Sequence, residues 1–422
     1  MYDCAWDTDF SFTAPTNLRS GIYAAKLIDE QDNEEMIPFF VTAKQGKPQS
    51  RICVLIPSFT YTVYANIARG NTNKKMLERI KEWSASPWTT DNFPQFGLST
   101  YNYHSDGSGI SSSSRRRPIL TMRSNVISYP GVPGSGCRHF PADSHLWYWL
   151  TTKGYEFDVI TDDELHKYGL AAIEKYSVLL TCSHPEYHTP QSLNALQEYT
   201  NTGGHLMYLG GNGFYWKVAV SDVWPDAVEI RRGEGGIRAW ASEPGEYYNA
   251  FDGEYGGLWR RNGRAPQVLT GVGFTSQGDH YGAPYRRTPE SYSNEWAWVF
   301  EGITEEIIGD FGLSGGGAAG FELDRADTML GTPLNAVTLA SSEGHDESFV
   351  LVPEDILTHH DTWPHKPIKE LIRADIVYFE TAKGGGVFSV GSITFCGSLP
   401  HNNCENNISK MIENVIRKFL SN

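Results

Sequence analysis

The chain has 422 residues, a length that allows two or three domains of ordinary size. Its 35 basic and 50 acidic residues leave a net charge of −15, and an acidic surface of this kind argues against nucleic acid as a partner because it repels phosphates. Hydrophobic residues make up 40% and charged residues 20% of the chain, which is typical of a packed globular protein and excludes a disordered one. The 22 Tyr, 20 Phe, 12 Trp and 42 Gly favour structured loops held by aromatic rings around a concave site.

The sequence carries no recognisable membrane or export signal. No apolar run approaches the roughly 18 residues that a membrane helix needs. The first seven residues have neither the basic start nor the apolar stretch of a signal peptide. The six cysteines are widely scattered and form no C-x-x-C pair, which in a large chain without an export signal predicts free thiols. We therefore expect a cytoplasmic protein without membrane partners.

Residues 1–48 have the pattern of short β-strands. Strand-like runs at 10–12, 21–27 and 36–41 are separated by turn residues, and a linker at 44–48 follows them. Because three strands cannot close a β-sandwich, we interpret residues 1–48 as a partial β-sandwich remnant.

The pattern changes at residue 51 to that of a parallel sheet. Continuous apolar runs at 52–57, 157–160, 177–181 and 205–209 are typical of strands that are buried on both faces. Helical stretches lie between them, and the best marked one has Thr189 as a cap before Pro190. These alternating elements predict a doubly wound α/β fold.

The rest of the chain adds β-structure and one terminal helix. Short strands and glycine-rich loops fill 225–350, and two runs at 376–380 and 386–390 predict a hairpin. Apolar residues recur at helical spacing from 408 to 419, so we expect a helix there that packs on the sheet. We therefore predict one α/β domain over 49–422 with a β-rich insertion around 225–350.

Polar residues follow three of the predicted strands and should meet at one edge of the sheet. His184, Glu186 and His188 alternate after one strand and are either metal ligands or polar groups of a turn. Asn212 follows the next strand within a glycine-rich stretch, where glycines allow the backbone to approach a ligand closely. Tyr61 and Tyr64 follow the first strand. Convergence from three strands is stronger evidence for a site than any single motif.

Other motifs add candidates or exclude function classes. The segment 101–109, followed by three arginines, has no phosphate-loop pattern and no strand-to-helix context, although its tyrosines and His104 are candidate site residues. The chain contains no G-x-S-x-G motif, which argues against an ordinary serine hydrolase. Glu322 alternates with apolar neighbours and is either on an exposed strand face or a carboxylate suited to proton transfer.

Several long blocks, in order along the chain, resemble the large subunit of the N,N-dimethylformamidase family. They are 57–66, 101–109, 183–187, 210–213, 253–260 and 388–393. The likeness extends from about residue 10 to the C-terminus. The α/β part is also similar to a glutamine-amidotransferase-like fold that lacks the catalytic cysteine of that family. The resemblance implies that 49–422 is a catalytic domain, preceded in the family by a further β-rich region.

The resemblance implies a mononuclear ferric iron, Fe(III), held by two tyrosines and one glutamate. The glutamate falls on Glu186 and one tyrosine on Tyr64. The second tyrosine falls on Tyr103, with Tyr101 as the alternative. The family's neighbouring histidine, asparagine and second glutamate fall on His184, Asn212 and Glu322. A family lysine meets an arginine here, at position 231 or 232.

The implied activity is hydrolysis of N,N-dimethylformamide-like amides to formate and an amine. A Lewis acid polarises the unreactive amide carbonyl, Glu322 takes a proton from the attacking water, His184 passes one to the leaving amine and Asn212 holds the oxyanion. The family also implies a small partner subunit and a homo-oligomer of large subunits. Two alternatives remain: a scaffold that binds a carbohydrate or another small ligand without iron, and a zinc hydrolase that uses His184, Glu186 and His188.

Overall fold

A nine-stranded mixed sheet forms the centre of the computed structural model, which describes residues 2–68, 74–127, 138–233, 238–359 and 367–421. The strands are β1 (Gly21–Ile28), β2 (Glu34–Val41), β3 (Ile52–Ile56), β4 (Ser112–Ser114), β5 (Asp158–Thr161), β6 (Val178–Thr181), β7 (Tyr187–His188), β8 (His205–Tyr208), β9 (Trp216–Val220), β10 (Ala227–Ile230), β11 (Gly273–Ala283), β12 (Tyr285–Arg287), β13 (Ile307–Ile308), β14 (Ala319–Arg325), β15 (Val337–Ser342), β16 (Val350–Leu351), β17 (Asp375–Glu380) and β18 (Gly386–Ser389). The α-helices are α1 (Ser58–Val63), α2 (Lys74–Glu82), α3 (His139–Thr152), α4 (Asp162–Tyr168), α5 (Pro190–Asn201), α6 (Gln267–Thr270), α7 (Pro353–His359), α8 (Ile368–Leu371) and α9 (Asn407–Leu420).

The central sheet has a parallel half and an antiparallel half. Its strand order is β13-β12-β15-β17-β18-β8-β6-β3-β5, in which the strands from β18 to β5 are parallel. The strands from β13 to β17 pair antiparallel. Three smaller sheets have the orders β1-β2, β4-β10-β9-β7 and β14-β11-β16. The site described below lies between the parallel half and the last two of these.

The parallel strands are buried at every position because helices cover both of their faces. All five residues of β3 are buried. Ile52, Val54 and Ile56 belong to the apolar cluster that includes α3 and α9, whereas Cys53 and Leu55 belong to the cluster that includes α4 and α5. Successive side chains of a strand point to opposite faces, so a strand between two helical layers needs apolar residues at every position.

Several elements predicted from the sequence are confirmed. The four apolar runs form β3, β5, β6 and β8, and the predicted hairpin is β17 with β18. Helix α5 begins at Pro190, and the Thr189 side chain accepts a hydrogen bond from the backbone N–H of Ser192. The apolar face of α9 packs in the core beside the sheet.

The N-terminal region differs from its predicted strand pattern. Residues 21–28 and 34–41 pair as an antiparallel hairpin, β1 with β2. The run at 10–12 is not a strand, and the rings of Phe10 and Phe12 are 52% and 61% exposed. An alternating apolar pattern is not enough for a strand when no neighbouring strand supplies the backbone hydrogen bonds. The division into a 1–48 sandwich remnant and a 49–422 domain stays a prediction.

Two further sequence expectations concern thiols and membranes. Cys4, Cys53, Cys182, Cys396 and Cys404 are free thiols, as predicted, whereas position 137 lies outside the described residues. Within the ranges given above, no helix is both long enough and apolar enough to span a bilayer.

Candidate active site

The candidate site lies at the carboxyl ends of β3, β6 and β8, which are neighbours in the central sheet. Tyr64 follows α1 after β3, residues 183–186 follow β6, and Asn212 follows β8. Loops from adjacent parallel strands meet at this edge, which is where open α/β sheets bind ligands. The hydrogen bonds that join these three segments confirm that they converge.

The first half of the site consists of two phenols and one carboxylate. The Tyr64 hydroxyl lies 2.6 Å from the Tyr101 hydroxyl and 2.9 Å from Glu186 Oε2. The two tyrosine rings stack with their centroids 4.4 Å apart. All three side chains are buried. Their oxygens come from separate segments of the chain, and phenolate and carboxylate oxygens are hard donors that favour a hard cation.

Tyr103 does not belong to this cluster, which corrects the favoured assignment from the sequence. Its side chain is 46% exposed, and its hydroxyl donates a hydrogen bond to the backbone carbonyl of Ala239. Tyr103 also forms an antiparallel backbone bridge to Gly109. Tyr101, the alternative, occupies the place beside Tyr64.

The second half of the site consists of His184, Asn212 and Glu322. Asn212 Nδ2 donates hydrogen bonds to Glu186 Oε1 and to Glu322 Oε2, both at 3.1 Å. His184 Nε2 lies 3.1 Å from Glu186 Oε2 and 3.3 Å from Glu322 Oε2. Glu322 is buried in β14, so the exposed-face alternative for this residue is wrong. His184 and Asn212 therefore each contact both carboxylates, those of Glu186 and Glu322.

Burial and neighbouring charges act on the ionisable groups in opposite directions. Burial raises the pKa of Tyr64 well above its ordinary value, and the negative charge of Glu186 adds to this effect. Burial alone would also raise the pKa of the Glu186 carboxyl, but His184, Arg232 and the Tyr64 hydroxyl outweigh it and hold that pKa below the ordinary value. Glu186 is therefore a carboxylate near neutral pH, and Tyr64 is a protonated phenol unless a cation replaces its proton.

An arginine and a third tyrosine complete the site. Arg232 is wholly buried, with its guanidinium carbon 4.1 Å from the centre of the Tyr101 ring. Its Nη2 lies 3.4 Å from the Tyr187 hydroxyl, which lies 2.7 Å from the Tyr101 hydroxyl. Arg231 instead pairs with Glu229 at 2.7 Å. Of the two arginines, Arg232 is the one that contacts the tyrosines of the site.

Two buried carboxyl groups hold the site loops from behind. Asp143 Oδ1 accepts a hydrogen bond from the backbone N–H of Ser183 at 2.7 Å. Asp324 Oδ1 accepts one from the backbone N–H of Asn212 at 2.7 Å, and its Oδ2 accepts one from the Tyr208 hydroxyl at 2.8 Å. Burial raises the pKa of Asp143 to about 6 and that of Asp324 to about 7. These groups fix the backbone of the segments that carry Glu186 and Asn212.

Two glycines allow the site loops to pack against each other. A Cβ atom on Gly210 would lie 2.3 Å from the carbonyl oxygen of Ser183, and one on Gly211 would lie 2.8 Å from the carbonyl oxygen of Glu322. The close approach predicted for this stretch is therefore to neighbouring backbone and not to a ligand. Asn212 itself has φ 48°, a left-handed conformation that asparagine tolerates.

His188 is outside the cluster, which removes the geometric basis for the zinc alternative. Its Nε2 lies 3.0 Å from the Pro185 carbonyl oxygen, and its Nδ1 lies 3.3 Å from Ser192 Oγ. Its ring stacks on Phe214, and burial lowers its pKa to about 4. In the part of the chain that the structure describes, no three or more His, Cys, Asp or Glu side chains are arranged to hold a metal ion.

The local sequence pattern did not identify several residues of the site. Arg138, His139, Asp143 and Asp324 have no recognisable motif. Tyr187 lies in the block 183–187 that carries the family resemblance, but the resemblance implies no role for it. The His139 ring lies 4.2 Å from the Tyr64 ring at a tilt and stacks on the His184 ring at 5.5 Å, and Arg138 Nη1 lies 3.7 Å from Glu322 Oε1. These two begin α3, so nothing local in the sequence relates them to the sheet edge.

Comparison with known proteins identifies the family of this chain. The family described as N,N-dimethylformamidase beta subunit-like, C-terminal, matches residues 1–406. Two relatives named N,N-dimethylformamidase beta subunit, from Paracoccus aminophilus and from an Alcaligenes species, are each 40% identical to this chain, over 427 and 437 residues. Each alignment covers 99% of this chain and 55% of the relative, so the chain spans about half the length of the curated relatives it matches.

Structural comparison gives a much weaker likeness. A solved structure of a ThuA-like protein from Bacteroides uniformis has 12% identity and a TM-score of 0.33, with 66% of this chain and 83% of that chain covered. A likeness at this level carries no argument about fold or activity. The family match and the two relatives decide the classification: the chain belongs to the N,N-dimethylformamidase beta subunit-like family, in its C-terminal part.

Proposed function

We propose that this chain carries the active site of an iron-dependent amide hydrolase that cleaves N,N-dimethylformamide-like amides to formate and an amine. The observation that supports it most is the convergence of Tyr64, Tyr101 and Glu186 with His184 at the carboxyl edge of the parallel strands. Two relatives are named N,N-dimethylformamidase beta subunit, which supports this substrate class.

The side chains fit a hard metal ion. Tyr64, Tyr101 and Glu186 would hold it through phenolate and carboxylate oxygens, the ligand type that a ferric ion prefers. His184 Nδ1 and Asn212 Oδ1 are buried without a hydrogen-bond partner among the described residues. Buried polar atoms without partners are costly, so their presence here is consistent with a site that takes a ligand. Bound ferric iron would supply a Lewis acid that polarises the amide carbonyl.

The remaining side chains would manage the protons. Glu322 Oε2 and His184 Nε2 lie 3.3 Å apart, so one can accept the proton of an attacking water while the other delivers a proton to the leaving amine nitrogen. Asn212 donates both amide hydrogens to the two glutamates. We therefore assign Asn212 the role of holding two neighbouring carboxylates at a fixed distance, in place of the oxyanion role that the resemblance implies.

The burial of the cluster restricts the substrate to a small and neutral molecule. Tyr64, Tyr101, Glu186 and Glu322 are all nearly inaccessible to solvent. The carboxylates of Glu186 and Glu322 would repel an anionic substrate. Any charged substrate would also lose its hydration in this buried site without gaining a dedicated partner. A small N-alkyl amide carries no charge and presents methyl groups to aromatic rings.

The proposal is tested by loading the protein with iron and measuring two independent properties. A ferric ion bound to phenolates absorbs visible light, and hydrolysis of N,N-dimethylformamide releases formate. We expect the wild-type protein to bind iron, to be coloured and to release formate. Glu186→Gln and Tyr101→Phe should lose both properties, and Tyr103→Phe is the matched control that should keep both.

Three outcomes would each contradict a different part of the proposal. Formate release by iron-free protein would contradict the metal assignment. Coloured, iron-bound protein that hydrolyses no N-alkyl amide would contradict the substrate assignment. Loss of colour in Tyr103→Phe but not in Tyr101→Phe would restore the original assignment of the second tyrosine.

We also propose that the chain acts together with a smaller subunit and in an oligomer of large subunits. The name beta subunit of the relatives supports this proposal. Native mass spectrometry of the protein purified from its source would test it, because a heteromeric mass is expected and a monomer of 47.1 kDa would contradict it.

A further inference from the structure

Tyr101 is not held in place by a helix or a strand of its own segment. It lies in the turn-rich segment between α2 and β4, outside any α-helix or strand. Tyr64 and Glu186 are better supported, because they directly follow α1 and directly precede β7. Functional groups must be held within a fraction of an ångström of their working position, and loops alone rarely achieve this. The structure must therefore hold Tyr101 by contacts from outside its loop.

The four-stranded sheet β4-β10-β9-β7 supplies these contacts. Tyr187 stands on β7, where it pairs in register with Trp216 of β9. Arg232 follows the end of β10. The hydroxyl of Tyr187 lies 2.7 Å from that of Tyr101. One strand of a small sheet thereby fixes the direction of the Tyr101 hydroxyl.

Arg232 covers the ring of Tyr101. Its guanidinium lies 4.1 Å from the Tyr101 ring centre and 4.9 Å from that of Trp216. Tyr64 stacks on Tyr101 at 4.4 Å, and two groups this close to one ring occupy opposite faces. The Nε and Nη1 atoms of Arg232 have no hydrogen-bond partner in the described part of the chain. A buried cation whose contacts are mainly with the faces of aromatic rings is costly for the stability of the fold. This cost indicates a functional role for Arg232.

We propose that Tyr187 and Arg232 are positioning residues for Tyr101, and that the four-stranded sheet is the rigid support of this metal ligand. Tyr187 fixes the hydroxyl, and Arg232 clamps the ring against Tyr64. The inference rests on the proposed function, since it assigns these residues to the ligand that would bind iron.

The test measures iron affinity by competition with a chelator, together with the energy of the visible absorption band. Removal of residues that orient a metal ligand lowers metal affinity by about 10–100-fold. We expect Tyr187→Phe and Arg232→Met to weaken iron binding by at least about 10-fold and to shift the band. Arg232→Lys keeps the charge but not the planar stack, so it should recover affinity in part. Tyr215→Phe is the matched control, because the hydroxyl of this buried phenol accepts a hydrogen bond from Arg238 and the change leaves its backbone contact with Glu186 in place.

The outcomes distinguish this inference from the proposed function. Wild-type protein that binds no iron would overturn both. If wild-type protein binds iron, and Tyr187→Phe and Arg232→Met keep its affinity and its band, only the positioning role is overturned. An equal loss in Tyr215→Phe would also overturn it, because general loosening of the core would then explain the effect. Melting temperatures of all variants identify misfolding, and Arg232→Lys supplies the folded comparison if Arg232→Met does not fold.

Discussion

Replacement of Asp324 by asparagine should change how the stability of the protein depends on pH. Asp324 is wholly buried, and burial raises the pKa of its carboxyl from 3.8 to about 7. Because the folded-state pKa lies above the unfolded one, the protonated carboxyl stabilises the fold. That stabilisation is complete below about pH 4 and is lost as the pH rises through about 7.

The size of the effect follows from the two pKa values. One pKa unit corresponds to about 1.4 kcal/mol, so ionisation of Asp324 costs the folded state about 4 kcal/mol in full, of which about 2.5 kcal/mol falls between pH 5 and pH 8. Asparagine cannot ionise and its Oδ1 can still accept the N–H of Asn212. The free energy of unfolding of Asp324→Asn, minus that of wild type, should therefore rise by about 2.5 kcal/mol over this range.

Urea unfolding at several pH values measures this difference. Asp346→Asn is the control, because this exposed carboxylate has its pKa lowered by a hydrogen bond from Ser348 and should show no such rise. Asp324→Ala should be less stable than Asp324→Asn at every pH, since it leaves the Asn212 N–H without an acceptor, at a cost of about 1–3 kcal/mol. A difference between Asp324→Asn and wild type that is flat or falls with pH would refute the reasoning.

Three further changes test other contacts of the site. Asn212→Ala removes the amide that separates Glu186 from Glu322, so we expect at least about 10-fold slower formate release, and an unchanged rate would contradict the bridging role. His188→Gln should keep iron content and colour, because His188 bonds to backbone and serine atoms; selective loss of metal in the folded variant would argue for His188 as a ligand. Gly210→Ala should lower the melting temperature and iron content together, because its Cβ would lie 2.3 Å from a carbonyl oxygen, and a melting curve like that of wild type would contradict the close approach.

The sheet was predictable because its strands obey a local rule. The run at 52–57 is apolar at every position, and β3 is buried on both faces, so burial alone dictates the pattern. Thr189 before Pro190 marks a helix start for equally local reasons. The run at 10–12 has a strand-like pattern but no partner strand, which no local pattern reveals.

The choice between neighbouring residues in the site depended on tertiary contacts. Tyr101 and Tyr103 are two residues apart, and an extended segment would place both on one face, so the sequence does not show which one lies at the sheet edge. Arg231 and Arg232 pose the same question, and here a signal existed. Glu229 shares a strand face with Arg231 and pairs with it, which leaves Arg232 to the opposite, buried side.

The two supporting carboxyl groups, those of Asp143 and Asp324, could not be predicted from the sequence for a different reason. Asp143 and Asp324 accept hydrogen bonds from the backbone N–H groups of Ser183 and Asn212. Every residue type except proline would offer the same donor at positions 183 and 212. Nothing in the sequence therefore marks which carboxyl accepts which N–H.

The site joins parts of the chain that are remote in sequence. The contact between Tyr64 and Glu186 spans 122 residues, and that between Asn212 and Glu322 spans 110. Such contacts form late in folding because the loops they close are long. A chain released from the ribosome before β14 is made would lack Glu322, and a protease cut between Asn212 and β14 would place Glu322 on a different fragment from Asn212. If the site binds iron as proposed, the visible colour would appear only once folding is complete. The rate at which the colour appears would then equal the rate at which the last of these long-range contacts forms.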